Sequence, residues 1–204
     1  MFQPDAVTSP NRYPRIFAAA RECLPDGPAI RLLSFGCADG DEVFSLRAYF
    51  PTAQIRGIDI SARNIRRAVR RLSARGGDAR VEFVRGHSAT CLERGTYDGV
   101  FAMAVFRHSD LDWAAESSEP SIRFADVAVE VQALADVLRE GGVFAFRNSH
   151  FRFTDFPSST AFECLVASPE RPDAPVYGPD NRLIGLGGQV EGLWRKRSTE
   201  GVRD

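Results

Sequence analysis

A carboxylate that follows a glycine-rich turn by 19 residues has the plainest chemical meaning in this 204-residue sequence. The turn lies in Leu33-Ser34-Phe35-Gly36-Cys37-Ala38-Asp39-Gly40-Asp41-Glu42, where two glycines and an alanine let a ligand approach the backbone. The carboxylate is Asp59, in Gly57-Ile58-Asp59-Ile60, at the spacing where an acidic residue ending a second strand accepts hydrogen bonds from ribose hydroxyls. A dinucleotide site would need G-x-G-x-x-G and a helix start open to pyrophosphate. The loop here is the shorter G-x-A-x-G, and Asp39 and Asp41 place phosphate-repelling charge at the helix start. A cationic cofactor suits it better. Three histidines, His87, His108 and His150, each follow a predicted strand, and histidine is suited to proton removal near neutral pH.

Those residues need a scaffold, and the sequence predicts an α/β one. Nearly continuous apolar strands are predicted at Ala29 to Phe35, Gln54 to Ile60, Val81 to Arg85, Tyr97 to Val105 and Val143 to Arg147. Helices alternate with them. One follows Gly40 as far as Tyr49, one runs from a Ser61 cap to about Arg75, and a third carries Ala125, Val129, Leu134 and Leu138 up to Gly141-Gly142. The expected fold is Rossmann-like and doubly wound, a mostly parallel seven-stranded sheet closed by a C-terminal antiparallel strand pair. That pair is read at Phe162 to Ala167 and Gln189 to Arg197, around a Pro179-Asp180-Asn181 turn and the bending glycines Gly185, Gly187 and Gly188. One domain is expected: an arm and a short helix (Arg15 to Cys23) in 1–28, a cofactor-binding core in 29–150 and the acceptor-side strands in 151–204.

Composition narrows the partners. The net charge is −1, so no global field attracts nucleic acid or an anionic membrane. The N-terminus lacks a signal-peptide pattern, and no apolar run is long enough to span a bilayer, so a cytoplasmic protein is expected. Four cysteines without a C-x-x-C pair read as small buried residues, and the histidines lack a metal-ligand spacing, so no metal is expected. The helix after Ser61 carries Arg63, Arg66, Arg67, Arg70 and Arg71 on one face, read as a solvated basic face opposite Ile65, Ala68, Val69 and Leu72.

Leu33 to Gly40, Gly57 to Ser61, Tyr97 to Phe101 and Leu138 to Phe146 together resemble the successive motifs of class I S-adenosylmethionine-dependent methyltransferases. The resemblance covers roughly residues 30 to 150. In that family the first motif reads about h-D-h-G-x-G-x-G; here Ser34 stands for the acidic residue and Ala38 for the middle glycine. The cofactor is itself the cationic type, a sulfonium with an ammonium. The resemblance implies that Gly36, Cys37, Ala38, Asp39 and Gly40 line its methionine part, that Asp59 holds the ribose, and that Ile60, His87 and Ser88 border the adenine. Ala104 would pass beneath it. Arg15, with Arg12 and Tyr13, is a candidate clamp for the cofactor carboxylate, because guanidinium matches carboxylate bidentately.

The fourth-strand end reads Ala104-Val105-Phe106-Arg107-His108 and lacks the Asn/Asp-Pro-Pro-aromatic tetrad of amine methyltransferases with a similar fold. The expected reaction is therefore methyl transfer to a hydroxyl of a small acceptor, a sugar being suggested by a likeness to small bacterial sugar O-methyltransferases. His150 is expected as base, with His108 the second candidate, and Arg107, Asn148 and Arg152 beside them on the acceptor side. An RNA or protein methyltransferase and a non-catalytic cofactor-binding module are the alternatives. The assembly is left open, a homodimer among the options.

Overall fold

The computed structural model describes residues 2–4, 8–119, 121–168, 174–187 and 191–198. Helix α1 (Pro14–Cys23) opens the fold with proline in its first turn, where no intrahelical N–H is lost. Strand β1 (Arg31–Phe35) is followed by α2 (Asp41–Tyr49), β2 (Gln54–Asp59), α3 (Ala62–Ala74), β3 (Val81–Arg85) and β4 (Tyr97–Met103). Helix α4 (Phe124–Val137) leads into β5 (Leu138–Arg147), and β6 (Phe162–Ser168), β7 (Pro175–Tyr177), β8 (Leu183–Leu186) and β9 (Glu191–Lys196) follow.

Seven strands form one sheet in the order β3-β2-β1-β4-β5-β9-β6. The first five pair in parallel, whereas β9 runs antiparallel to both β5 and β6. The strand order turns back between β1 and β4, and crevices for ligands form at that reversal, outside the carboxyl ends of the strands. Helices on both faces bury two clusters. One is built on α1 and α2 through Ile16, Phe17, Val43 and Leu46; the other combines α4 with an aromatic group around Phe144, Phe146 and Phe153. This is the doubly wound architecture expected from the alternating elements.

Several boundaries differ. Leu138 begins β5 rather than ending the helix, and Ala125 and Val129 face solvent. The buried stripe is instead Phe124, Val127, Val131 and Leu134, an i, i+3, i+7, i+10 series one helical phase away. The Pro179-Asp180-Asn181 turn joins β7 to β8, a separate two-stranded sheet that sequence reading had merged into the final pair. Gly188 and the expected strand start at Gln189 lie outside the described residues. Cys91 and Cys164 are exposed, against the expectation of buried thiols.

Lys196, the only lysine of the chain, closes the end of α4 from β9, its Nζ donating to the carbonyls of Ala135 (2.6 Å) and Leu138 (2.8 Å). Lys196→Met strands both acceptors and is expected to cost about 1.5–3 kcal/mol, measurable as a lower denaturant midpoint with an unchanged slope.

Candidate functional site

The carboxyl ends of β1, β2 and β4 lie side by side, with Phe35 opposite Ile58 and Ser34 opposite Phe101. The chain leaves β1 through a tight turn in which the N–H groups of Gly36 and Cys37 both donate to the carbonyl of Ile58 (2.8 and 2.9 Å). Gly36 has φ +74°, and a Cβ there would sit 2.5 Å from Cγ2 of Val105. Only glycine fits that close approach without strain. The turn borders a cavity of about 730 Å³, within the roughly 300–1,000 Å³ usual for small-molecule sites.

Asp59 ends β2 at the cavity wall, and its carboxylate stitches the turn together. Oδ2 accepts from the N–H of Ala38 (2.9 Å), and Oδ1 from the N–H of Ser61 (2.8 Å) and the side-chain amide of Asn64 (3.4 Å). Ser61 in turn caps α3, as its position before the helix predicted, accepting from the N–H of Asn64 (3.3 Å). The lone pairs left on the Asp59 oxygens are those a ribose diol would use. Burial pushes the Cys37 thiol well up, reinforced by the negative charges of Asp59 and Glu42, so Cys37 is a thiol and packs as an apolar residue.

Of the expected cofactor residues, Gly36, Cys37, Ala38 and Asp59 line the cavity together, and so do Ile60, His87, Ser88 and Ala104. Others stand elsewhere. Asp39 is not among the lining residues; it is paired with Arg67 (3.1 Å) and Arg71 (2.9 Å) of α3, and Asp41 is also paired with Arg71. Two members of the expected basic face are therefore committed to the acidic loop, and Val69 of its expected apolar face is exposed. Gly40 supports the site indirectly, because its φ of +98° and a Phe83 ring atom 2.9 Å from the Cβ position set how α2 leaves the turn. Arg15 is exposed and outside the wall, while its neighbours Arg12 and Tyr13 line it.

The histidine expected as base is not in the wall either. His150 is 2% exposed, with Nδ1 3.0 Å from the carbonyl of Pro175 and Nε2 3.1 Å from the carbonyl of His108. This ring ties the end of β5 to β7 and to the segment after β4. His108 caps the short 3-10 turn Ser109–Leu111, its Nδ1 accepting from the N–H of Asp110 (3.3 Å). Arg107 is similarly engaged, donating to Asn148 (3.0 Å) and paired with Asp112. Among the described residues no group of acidic, histidine and cysteine side chains could hold a metal ion.

Burial pulls the His150 pKa below the ordinary imidazole value, outweighing the two carbonyls, which raise it. A folded-state value below the unfolded one means that the unfolded chain binds more protons. His150 therefore withdraws stability as pH falls below about 6.5, the unperturbed value. His150→Gln is expected to flatten the stability profile across that acid limb while leaving cofactor affinity unchanged; thermal unfolding between pH 5 and 8 checks it.

Sequence reading missed several wall residues, Arg63, Asn64 and Arg67 of α3 and Glu130 of α4 among them, and two further contributors. Phe2, Gln3, Pro4, Thr8 and Ser9 of the N-terminal arm form part of the wall, with Phe2 against Phe106 (5.4 Å between ring centroids). An extended arm carries no periodic signal that marks a lid. The other is Glu42, in the first turn of α2, whose Oε1 accepts from the hydroxyl of Ser34 (2.7 Å). Its clue was the serine standing where the resembled motif is acidic.

Comparison with known proteins bears on this site. A search of curated proteins returned no match to the sequence. Among solved structures, the YcgJ protein of Bacillus subtilis is 12% identical, with 91% of this chain and 100% of that one covered and a TM-score of 0.55. The [4+2]-cyclase SpnF is 18% identical, covering 76% and 60%, also at a TM-score of 0.55. The PH0226 protein of Pyrococcus horikoshii is 23% identical, covering 57% of this chain at a TM-score of 0.45; this chain spans about half its length, 48%. The likenesses to YcgJ and SpnF show the fold. Residues 33–144, more than half the chain and the stretch that carries the turn, Asp59 and the cavity's strand ends, match the methyltransferase domain. The chain therefore belongs to the methyltransferase domain family, in its S-adenosylmethionine-dependent class.

Proposed function

We propose that this protein methylates a hydroxyl group of a small acceptor that shares the cavity with S-adenosylmethionine, a sugar being one candidate. The observation that carries the reading is the cavity itself, which runs from the ribose-type carboxylate Asp59, past Gly36, to the arm residues Gln3 and Tyr13. When bound, the cofactor supplies an electrophilic methyl group on sulfur, and loss of the sulfonium charge drives the displacement. The protein's task is to hold and align, a contribution worth on the order of 7–11 kcal/mol in ideal systems. Gly36, Cys37 and Ala38 offer the backbone approach, and Asp59 fixes the ribose. Ile60, His87 and Ser88 border the base.

Residues of the arm also line the cavity. Arg12 and Arg147 each hold a guanidinium carbon 5.3 Å from the Tyr13 ring centroid, which fixes that ring at the wall. The amide oxygen of Gln3 is buried without a hydrogen-bond partner among the described residues, and an acceptor hydroxyl would satisfy it. His150 is not assigned the base, since its buried ring is engaged with two carbonyls. A macromolecular acceptor fits less well, because Arg67 and Arg71 are already held by the acidic loop.

Calorimetric titration with S-adenosylhomocysteine, followed by turnover with hydroxylated acceptors and mass detection of the added methyl, tests the reading. Binding with methyl transfer supports it. Binding without transfer to any such acceptor overturns it in favour of a non-catalytic module or another chemistry, as the cyclase on this fold illustrates. Activity on RNA or protein that vanishes on charge reversal at Arg66 and Arg70 would point to the macromolecular alternative.

A further inference from the structure

The sheet order divides the cavity wall into two chemically different halves. Asp59 and Ile60 stand at the end of β2, and His87 and Ser88 just past β3, all on one side of β1. Met103, Ala104 and Val105, at and just past the end of β4, lie on its other side, and the arm joins them there. Phe2 packs edge-on against Phe106 (5.4 Å between ring centroids), Phe106 stacks on Phe35 of β1 (6.3 Å), and Tyr13 lies against Arg147, the β5 partner of Met103. This half is lined by Phe2, Tyr13, Phe35, Met103 and Val105, and the amide oxygen of Gln3 is buried there without a hydrogen-bond partner among the described residues.

Proton acceptors are unevenly shared between the halves. His87 is the one histidine among the described wall residues, and it follows β3, three strands from β4 in the order β3-β2-β1-β4. At about 4.8 Å per strand this separates the strand ends by roughly 14 Å, too far for its imidazole to meet a hydroxyl held against Val105. The carboxyl of Glu42 is engaged by the Ser34 hydroxyl (2.7 Å), and that of Asp59 by the N–H groups of Ala38 and Ser61. A hydroxyl on the ring-lined half must therefore lose its proton largely through its own acidity. A phenol ionises near 10, whereas aliphatic hydroxyls lie toward the value of water, roughly 15.7, so at pH 7 the phenolate share exceeds the alkoxide share by several powers of ten. The Arg12 guanidinium, at the wall beside Tyr13, favours such an anion further.

We propose that the hydroxyl methylated by this protein is phenolic, carried on a planar aromatic acceptor that packs against Phe2 and Tyr13. Each ring contact of this kind favours an aromatic over an aliphatic guest of equal size by about 2- to 10-fold. A second hydroxyl on the same acceptor donates to the buried Gln3 amide oxygen. The step balances: the phenol O–H bond breaks and its proton leaves to solvent, an oxygen electron pair forms the bond to the methyl carbon, and the carbon–sulfur pair stays on sulfur, which becomes a neutral thioether.

This inference deepens the hydroxyl reading of the cavity and rests on it, and three probes keep the two apart. Resorcinol and cyclohexane-1,3-diol share a hydroxyl spacing but differ in planarity and acidity, and methyl glucoside represents a sugar. Each is titrated calorimetrically into protein saturated with S-adenosylhomocysteine, then offered for turnover with S-adenosylmethionine. Resorcinol should bind about 10-fold more tightly than either aliphatic probe and alone gain a methyl group, at a rate rising about tenfold per pH unit between pH 6 and 8 as its phenolate share rises. Phe2→Ala should weaken resorcinol binding roughly 5- to 10-fold with S-adenosylhomocysteine affinity retained, which also shows the variant folded. Equal binding of the aliphatic probes, methyl transfer to either of them, unchanged resorcinol affinity in Phe2→Ala, or a rate that levels off near 6.5 as an imidazole base would dictate, overturns the phenolic assignment. Transfer to none of the three by protein that binds S-adenosylhomocysteine overturns the hydroxyl reading instead.

Discussion

Asp59→Ala is expected to lose S-adenosylhomocysteine binding by 100-fold or more, the largest functional effect of any single carboxylate in the chain. The reason is that Asp59 has two jobs. In the proposed reading its remaining lone pairs accept the ribose hydroxyls, and its observed contacts hold the N–H groups of Ala38 and Ser61 at 2.9 and 2.8 Å. Alanine removes the ribose contact and leaves both backbone donors without their acceptor, each worth about 1.5–3 kcal/mol for a charged partner. The turn then loosens at the cavity wall. Calorimetry gives the affinity and thermal unfolding the stability, and both should fall. Asp59→Asn keeps one carbonyl oxygen and should lose less. Affinity within about threefold of wild type in Asp59→Ala would remove this residue from the cofactor site.

Gly36→Val should be the second severe change, acting by geometry alone. At φ +74° a β-branched residue is a marked outlier, and the new Cβ meets Cγ2 of Val105 at 2.5 Å, far inside contact distance. The turn must shift, and with it the N–H groups of Gly36 and Cys37 that donate to Ile58. Destabilisation of about 2–4 kcal/mol is expected together with loss of detectable cofactor binding. The double variant with Val105→Ala tells the two causes apart. It relieves the clash and leaves the backbone strain, so stability should recover only in part. Full recovery of binding and stability in the double variant would show that the backbone conformation is unimportant.

The strands and the turn with Asp59 at the cavity wall were readable because they rest on local rules. A buried parallel strand is a short apolar run, and the turn with Asp59 is a spacing. What was not readable depends on which way a side chain turns. His150 follows β5 as expected, yet the return of β7 beside it brings the Pro175 carbonyl to its ring and buries it. Asp39 sits in the loop as expected, yet the arginines of α3, 28 and 32 positions later, claim its charge. The phase of α4 was misread for a related reason: Val129 is apolar but exposed, while Glu130 is buried and accepts from the N–H of Ala89 (2.5 Å). Apolar periodicity counts residue types and has no means of seeing a buried glutamate that closes a loop.

The position of β9 has a consequence for biosynthesis. Because Glu191–Lys196 inserts between β5 and β6, neither neighbour has its antiparallel partner until the ribosome has delivered β9. A nascent chain that stops short presents two open sheet edges, one of them in an aromatic-rich strand, and open edges are where aggregation begins. The glycine-rich turn is thus made well before β9 closes the sheet that carries it. Premature termination before residue 191 should therefore yield insoluble protein, and this architecture leaves quality control the task of clearing it rather than a partly active enzyme.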